Sequence, residues 1–137
     1  LVGILSADSF CQFVLPYVKQ INAALSTMNV PRIYFPLAAP HCLPFFAETE
    51  ADVLSIDWRI DIDAAYSALG EGSIVQGNLD PSVLYADHTT ISAEVSKTLD
   101  KVASRPHIFN LGHGLQPDMP CDNVAFLVSE VHRQSSK

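Results

Sequence analysis

The residues able to do chemistry fall in four short polar stretches, each following an apolar run. They are Ala38-Ala39-Pro40-His41, Asp57-Trp58-Arg59, Gln76-Gly77-Asn78-Leu79-Asp80-Pro81 and Asn110-Leu111-Gly112-His113-Gly114. His113 has glycine on both sides, so no neighbouring Cβ shields its ring and the backbone there can approach a ligand closely. Such an imidazole can bind a polar group or move a proton; the competing reading is a surface histidine in a capped turn. Asp57 closes a strand candidate and could serve as a general acid or base, although Ile56 and Trp58 beside it favour a carboxylate tied into its loop. Gly77, Asn78, Asp80 and Pro81 carry ordinary turn chemistry, in which Asn and Asp bond their own backbone and Pro fixes φ.

The pair His41-Cys42 offers imidazole and thiol, the donors of a soft metal site or a Cys-His nucleophile. Adjacent residues rarely share one ion, and no C-x-x-C or H-x-x-C supports them, so the adjacency reads as chance. No metal is expected. His88, His107 and His132 read as residues of polar loops or of a helix's solvent side. The chain has no glycine-rich dinucleotide fingerprint, no P-loop and no Gly-x-Ser-x-Gly elbow.

The elements that must position these turns are legible from apolar spacing. Ser6 is a candidate N-cap for a long helix whose apolar residues Phe10, Phe13, Val14, Tyr17, Val18, Ile21 and Leu25 recur at steps of three and four. One side of it should face a core. Pro16 predicts a kink, and Asn29 and Pro31 end the pattern. Strands are predicted over Arg32–Leu37, Asp52–Asp57, Ser73–Gln76 and His107–Leu111. Between and after them lie a short helical stretch near Leu43–Glu48, then Ile62, Ala65, Tyr66 and Leu69 stopped by Gly70, then Ile91, Val95, Leu99 and Val102. A last helix carries Val124, Leu127, Val128 and Val131, introduced by Asp118 and Pro120 as cap and first-turn signals.

Strand and helix alternate four times, which argues for an α/β fold of βα units on a parallel sheet. Four parallel strands alone leave two apolar edges, at the Ile33 and Ile108 strands, and the inward faces of Ile33, Leu54, Val75 and Ile108 without cover. Such edges fit half of an eight-fold βα (TIM) barrel, closed by four more units, whose chemistry sits over the C-terminal strand ends.

The 137 residues include 8 Lys or Arg against 15 Asp or Glu, a formal charge of −7. That excludes nucleic-acid binding by bulk charge. At 48% apolar and 17% charged the composition is that of a folded domain. No apolar run is long enough for a membrane span, and Leu1–Leu5 lacks the basic flank of a signal peptide. The chain opens on Leu1 inside an apolar stretch and reads as a piece of something larger. Cys11, Cys42 and Cys121 form no disulfide or zinc pattern, and reduced thiols in a cytoplasmic setting are expected.

Taken in order, Phe13-Val14-Leu15-Pro16-Tyr17, Leu54-Ser55-Ile56-Asp57-Trp58, Gln76-Gly77-Asn78-Leu79-Asp80-Pro81 and Asn110-Leu111-Gly112-His113-Gly114-Leu115, followed by a helix ending Val131-His132, closely resemble the uroporphyrinogen decarboxylase family. The resemblance spans nearly the whole chain. It implies that residues 1–137 are the last four units of a (β/α)8 barrel, the C-terminal half of an enzyme whose N-terminal half is absent here. It implies a homodimeric cytoplasmic enzyme of heme or chlorophyll biosynthesis that takes the four acetate side chains of uroporphyrinogen to methyl groups, giving coproporphyrinogen without metal or organic cofactor. The family's aspartate, arginines and tyrosine lie in the N-terminal half, and a serine just before this chain starts. Only His113 carries over, as a substrate-binding residue with a supporting role in catalysis.

One departure is the turn after the first strand, Pro36-Leu37-Ala38-Ala39-Pro40, where the family generally has a glycine-bearing polar turn. Zinc-dependent methyltransferases acting on corrinoid proteins are similar overall. They need His-x-Cys on the first strand, where this chain reads Tyr34-Phe35-Pro36. A remaining alternative is a noncatalytic half-barrel that persists by association.

Overall fold

A computed structural model describes residues 2–70 and 72–136. Leu1, the first residue of the apolar opening, lies outside them. Four strands, β1 (Ile33–Tyr34), β2 (Val53–Ser55), β3 (Val75–Leu79) and β4 (His107–Leu111), form one sheet in sequence order with every neighbouring pair parallel. Helices α1 (Ala7–Phe13), α2 (Leu15–Leu25), α3 (Ile62–Leu69), α4 (His88–Val102) and α5 (Cys121–Ser135) precede, separate and follow the strands. This is the α/β architecture of a partial βα barrel.

Local chemistry explains most boundaries. The Ser6 hydroxyl accepts from the Ser9 amide at 3.1 Å and starts α1. The predicted kink is a break: α1 ends at Phe13 with Val14 as its cap, and Pro16 sits in the first turn of α2, where its missing N–H costs nothing. Asn29 turns left-handed at φ 52 and stops the chain after α2. Asp61, Asp87 and Asp80 cap α3, α4 and the 3₁₀ turn Pro81–Tyr85. Asp118 does not cap α5; its carboxylate accepts from the Tyr85 hydroxyl at 2.6 Å, and Pro120 occupies the cap position.

Four further expectations need correction. β1 is two residues long, because Pro36 supplies no ladder donor and the chain bends into the 3₁₀ segment Pro40–Phe45, where a short α-helix was expected. β3 runs through Gln76-Gly77-Asn78-Leu79, which reads as a turn by residue type; pairing Gly77 with Phe109 and Asn78 with Asn110 keeps it extended. Register also reassigns the faces. Ile33 pairs with Val53, Leu54 with Val75 and Val75 with His107, so Leu54 and Val75 share the helix-covered face and Ile33 and Ile108 lie on the other. Leu54 and Val75 are buried, whereas Ile33 and Ile108 are 49% and 40% exposed.

Two apolar clusters hold the helices to the sheet. Phe10, Leu15, Cys42, Leu43, Phe46, Leu54, Ile56, Ile62, Ala65 and Val75 join α1–α3 to β1–β3, and Leu79, Leu84, Ile91, Val95, Met119 and Leu127 join α4 and α5 to β3 and β4. The long N-terminal stripe divides. Phe10 and Leu15 face the core, and Asn22 is buried with its amide donating to Thr49 O at 2.6 Å, whereas Phe13, Tyr17 and Ile21 are 61%, 62% and 58% exposed.

Candidate substrate-contact site

The C-terminal ends of β2, β3 and β4 bring Asp57, Trp58, Arg59, Asn78 and His113 together. Asp57 is 4% exposed, and both its oxygens are occupied. Oδ2 accepts the Ala38 N–H at 2.7 Å and an Arg59 guanidinium N–H at 3.0 Å; Oδ1 accepts the Arg59 backbone N–H at 2.9 Å. A buried carboxylate committed to three donors holds loops and has little room for acid–base work. The tie favoured by Ile56 and Trp58 is therefore what forms. Its donor from Ala38 comes from the proline-rich turn that departs from the family pattern, where Ala38 takes a left-handed φ of 58.

Asn78 donates from Nδ2 to Asp57 O at 3.0 Å and to Ile60 O at 2.7 Å, bracketing the loop that carries Trp58 and Arg59. The two glycines that approach this loop have no space to spare. A Cβ on Gly77, whose φ is +130, would meet Ile56 O at 2.7 Å. One on Gly112 would run into the Trp58 backbone nitrogen, with Asp57 C at 3.0 Å and Trp58 Cα at 3.1 Å. Gly112 in turn donates its N–H to Leu79 O at 2.7 Å, so the loop after β4 lies against the ends of both β2 and β3.

That packing delivers His113. Its half-buried imidazole stands edge-on to Trp58, centroids 5.9 Å apart and planes at 89°, and the Arg59 guanidinium lies 4.1 Å from the centre of the indole. His113 Nδ1 is 3.1 Å from Gly114 O, so the ring donates there and keeps Nε2 for a ligand. On its other side the loop borders a groove of about 370 Å³ between β4 and α5, lined by Phe109, Leu111, Val124, Leu127 and Val131.

The other candidates separate. His41 Nε2 donates to Leu5 O at 2.7 Å, while Cys42 is fully buried in the core, so this pair serves packing. Among the described residues no group of three or more His, Cys, Asp or Glu could hold a metal ion. Nor is any helix of these residues long and apolar enough to cross a membrane. His132 is exposed on α5, and His88 stacks on Phe126 at 3.8 Å. His107 is not the polar-loop residue its type suggested. It belongs to β4, burial pushes its imidazole below the ordinary value, and Nδ1 lies 3.4 Å from the Tyr66 hydroxyl, which donates to Pro106 O.

The family model for uroporphyrinogen decarboxylase (URO-D) matches residues 1–134. The chain belongs to the uroporphyrinogen decarboxylase family. It is 43% identical over 136 residues to a uroporphyrinogen decarboxylase of Geobacter sulfurreducens, covering 98% of this chain and 40% of that relative. A uroporphyrinogen decarboxylase of Syntrophotalea carbinolica is 45% identical over 132 residues, covering 96% of this chain and 38% of the relative. The chain thus spans about two-fifths of the length of these relatives. A solved methyltransferase from Methanosarcina mazei superposes with a TM-score of 0.80 at 21% identity, over 95% of this chain and 38% of that one, a likeness that speaks for the fold alone. In decarboxylase-family terms, the Asn-Leu-Gly-His-Gly loop that carries the resemblance is the one that holds His113 against Trp58.

Proposed function

We propose that the protein carrying this chain decarboxylates the four acetate side chains of uroporphyrinogen to give coproporphyrinogen, with His113 as a substrate contact. The same reading makes the chain the C-terminal half of the barrel in a homodimeric, cytoplasmic enzyme of heme or chlorophyll biosynthesis. Family membership supports the reaction class. The observation that carries the role of His113 is its place at the C-terminal strand ends with Nδ1 engaged by Gly114 O and no hydrogen bond to Nε2 among the described residues.

The chemistry asks little of this half of the site. A protonated pyrrole ring accepts the electron pair left when carbon dioxide departs, so the protein must position the tetrapyrrole and manage protons. His113 Nε2 can accept from a pyrrole N–H when the ring is neutral, or donate to a substrate carboxylate when it is protonated. Either bond orients substrate. A glycine-flanked loop is a poor platform for the geometric precision of a general acid, whereas a single charge-assisted hydrogen bond tolerates slack and contributes about 1.5–3 kcal/mol.

The test is His113→Asn in a protein where this chain is joined to the rest of the barrel. The fold should persist and turnover of uroporphyrinogen fall about ten- to a hundredfold, at ~1.4 kcal/mol per decade. Complete loss of activity would indicate obligatory proton transfer instead, and unchanged turnover would return His113 to a structural role.

A further inference from the structure

We propose that Trp58 is the positioning residue for His113, and that the Asp57–Arg59 pair fixes the indole for this purpose. The catalytic consequence rests on the reading of His113 as a substrate contact; the placement does not.

The His113 loop has little stiffness of its own. A Cβ at Gly114 would meet nothing within 4 Å, and residues 114–117 are exposed with no regular structure beyond the start of a turn. What the imidazole rests on is the Trp58 ring, in the edge-to-face geometry that aromatic quadrupoles prefer. The indole is itself braced. Arg59 lies over it, the Arg59 guanidinium and backbone N–H both donate to Asp57, and Asp57 takes a further N–H from Ala38 in the loop after β1. Asn78 of β3 anchors the ends of the same turn through Asp57 O and Ile60 O, and Gly112 closes on the Trp58 backbone. Loops or strand ends from all four strands therefore converge on the turn that carries this ring, and the half-buried His113 stands against the ring. A carboxylate buried to 4% exposure and spent wholly on bracing an exposed turn is explained if the turn has something to aim.

The experiment uses the barrel-complete protein with ¹³C-labelled histidine and the variants Trp58→Phe, Trp58→Leu, His113→Asn and the double variant Trp58→Leu/His113→Asn. The His113 ring signals, identified by their disappearance in His113→Asn, should be displaced by the indole ring current, stay displaced in Trp58→Phe and relax in Trp58→Leu. Turnover should fall about three- to tenfold in Trp58→Leu, be largely rescued in Trp58→Phe, and not fall further when Trp58→Leu is added to His113→Asn. Ring signals that Trp58→Leu leaves unmoved overturn the inference whatever His113→Asn does. So do losses that multiply in the double variant, or a phenylalanine variant as impaired as the leucine one. If His113→Asn alone leaves turnover unchanged while the ring signals follow Trp58, the substrate-contact reading has failed and the placement stands.

Discussion

Gly112 and Gly114 flank the same histidine and do different work. Gly112 sits where a methyl group would collide with backbone, which cannot swing aside as a side chain can, while the space around Gly114 is open and its φ lies outside the left-handed region. In the barrel-complete protein, Gly112→Ala should therefore destabilise by about 1–3 kcal/mol, as overpacking does, and lower turnover with it. Gly114→Ala should stay within about 0.5 kcal/mol of the parent. Denaturant unfolding and steady-state turnover on the two variants check the contrast. Equal effects would mean that the loop after β4 does not pack on Trp58.

At the scale of elements, the junction of α4 and α5 depends on a buried carboxylate that residue type alone does not reveal. Glu130 is 6% exposed and accepts from the Ser92 hydroxyl at 2.5 Å, Arg133 at 2.6 and 2.8 Å and Gln134 at 2.7 Å. Gln134 also donates to Ser92 O at 3.1 Å, so the network crosses between the helices. The Arg133 guanidinium, followed by Ser92 and Gln134, holds the carboxyl well below its usual value of 4.5. A group depressed in the folded state contributes stability that is present above its unfolded value and lost as pH falls through the folded one. In the barrel-complete protein the melting temperature of Glu130→Gln should accordingly fall below that of the parent at neutral pH, and the gap should close as the pH drops below 4.5. A gap that is constant across this range would show that the charge of Glu130 is not what the helices share.

At the scale of the molecule, the sheet ends in β1 and β4 with no further strand beyond either among the described residues. Ile33 and Ile108 stand exposed on the face away from the helices, and Phe13, Tyr17 and Ile21 line an uncovered strip of the N-terminal helices. Exposed strand edges and apolar strips of this kind promote association. The chain by itself should therefore sediment as oligomers or aggregates and show no decarboxylase activity; a monodisperse, cooperatively melting monomer would contradict this. Charge leads the same way. With −7 on the chain and eight carboxylates on uroporphyrinogen, the substrate proposed above should be repelled by the chain alone, and the arginine that lies over Trp58 is already paired with Asp57. Calorimetric titration of the chain with uroporphyrinogen should show no tight binding.

Much of this was legible from residue order. Short apolar runs and apolar spacings of three and four placed four strands and the helices between them, and β4 and α3 match their expected bounds, because the signals for each are local: an apolar run closed by a glycine turn, and a helical spacing stopped by Gly70. His113 stood out as a candidate for the same kind of reason, being flagged by its own neighbours. What tertiary structure alone decided is whatever depends on register or on meetings across the sheet. One residue of register moved Leu54 and Val75 under the helices and left Ile33 and Ile108 outside. Ladder pairing with β4 made a strand of Gln76-Gly77-Asn78-Leu79, whose types argue for a turn. The contact between Trp58 and His113 joins residues 55 apart in sequence, and the Glu130–Ser92 bond residues 38 apart. No local pattern encodes such pairs, since their energies arise only after the intervening elements have packed.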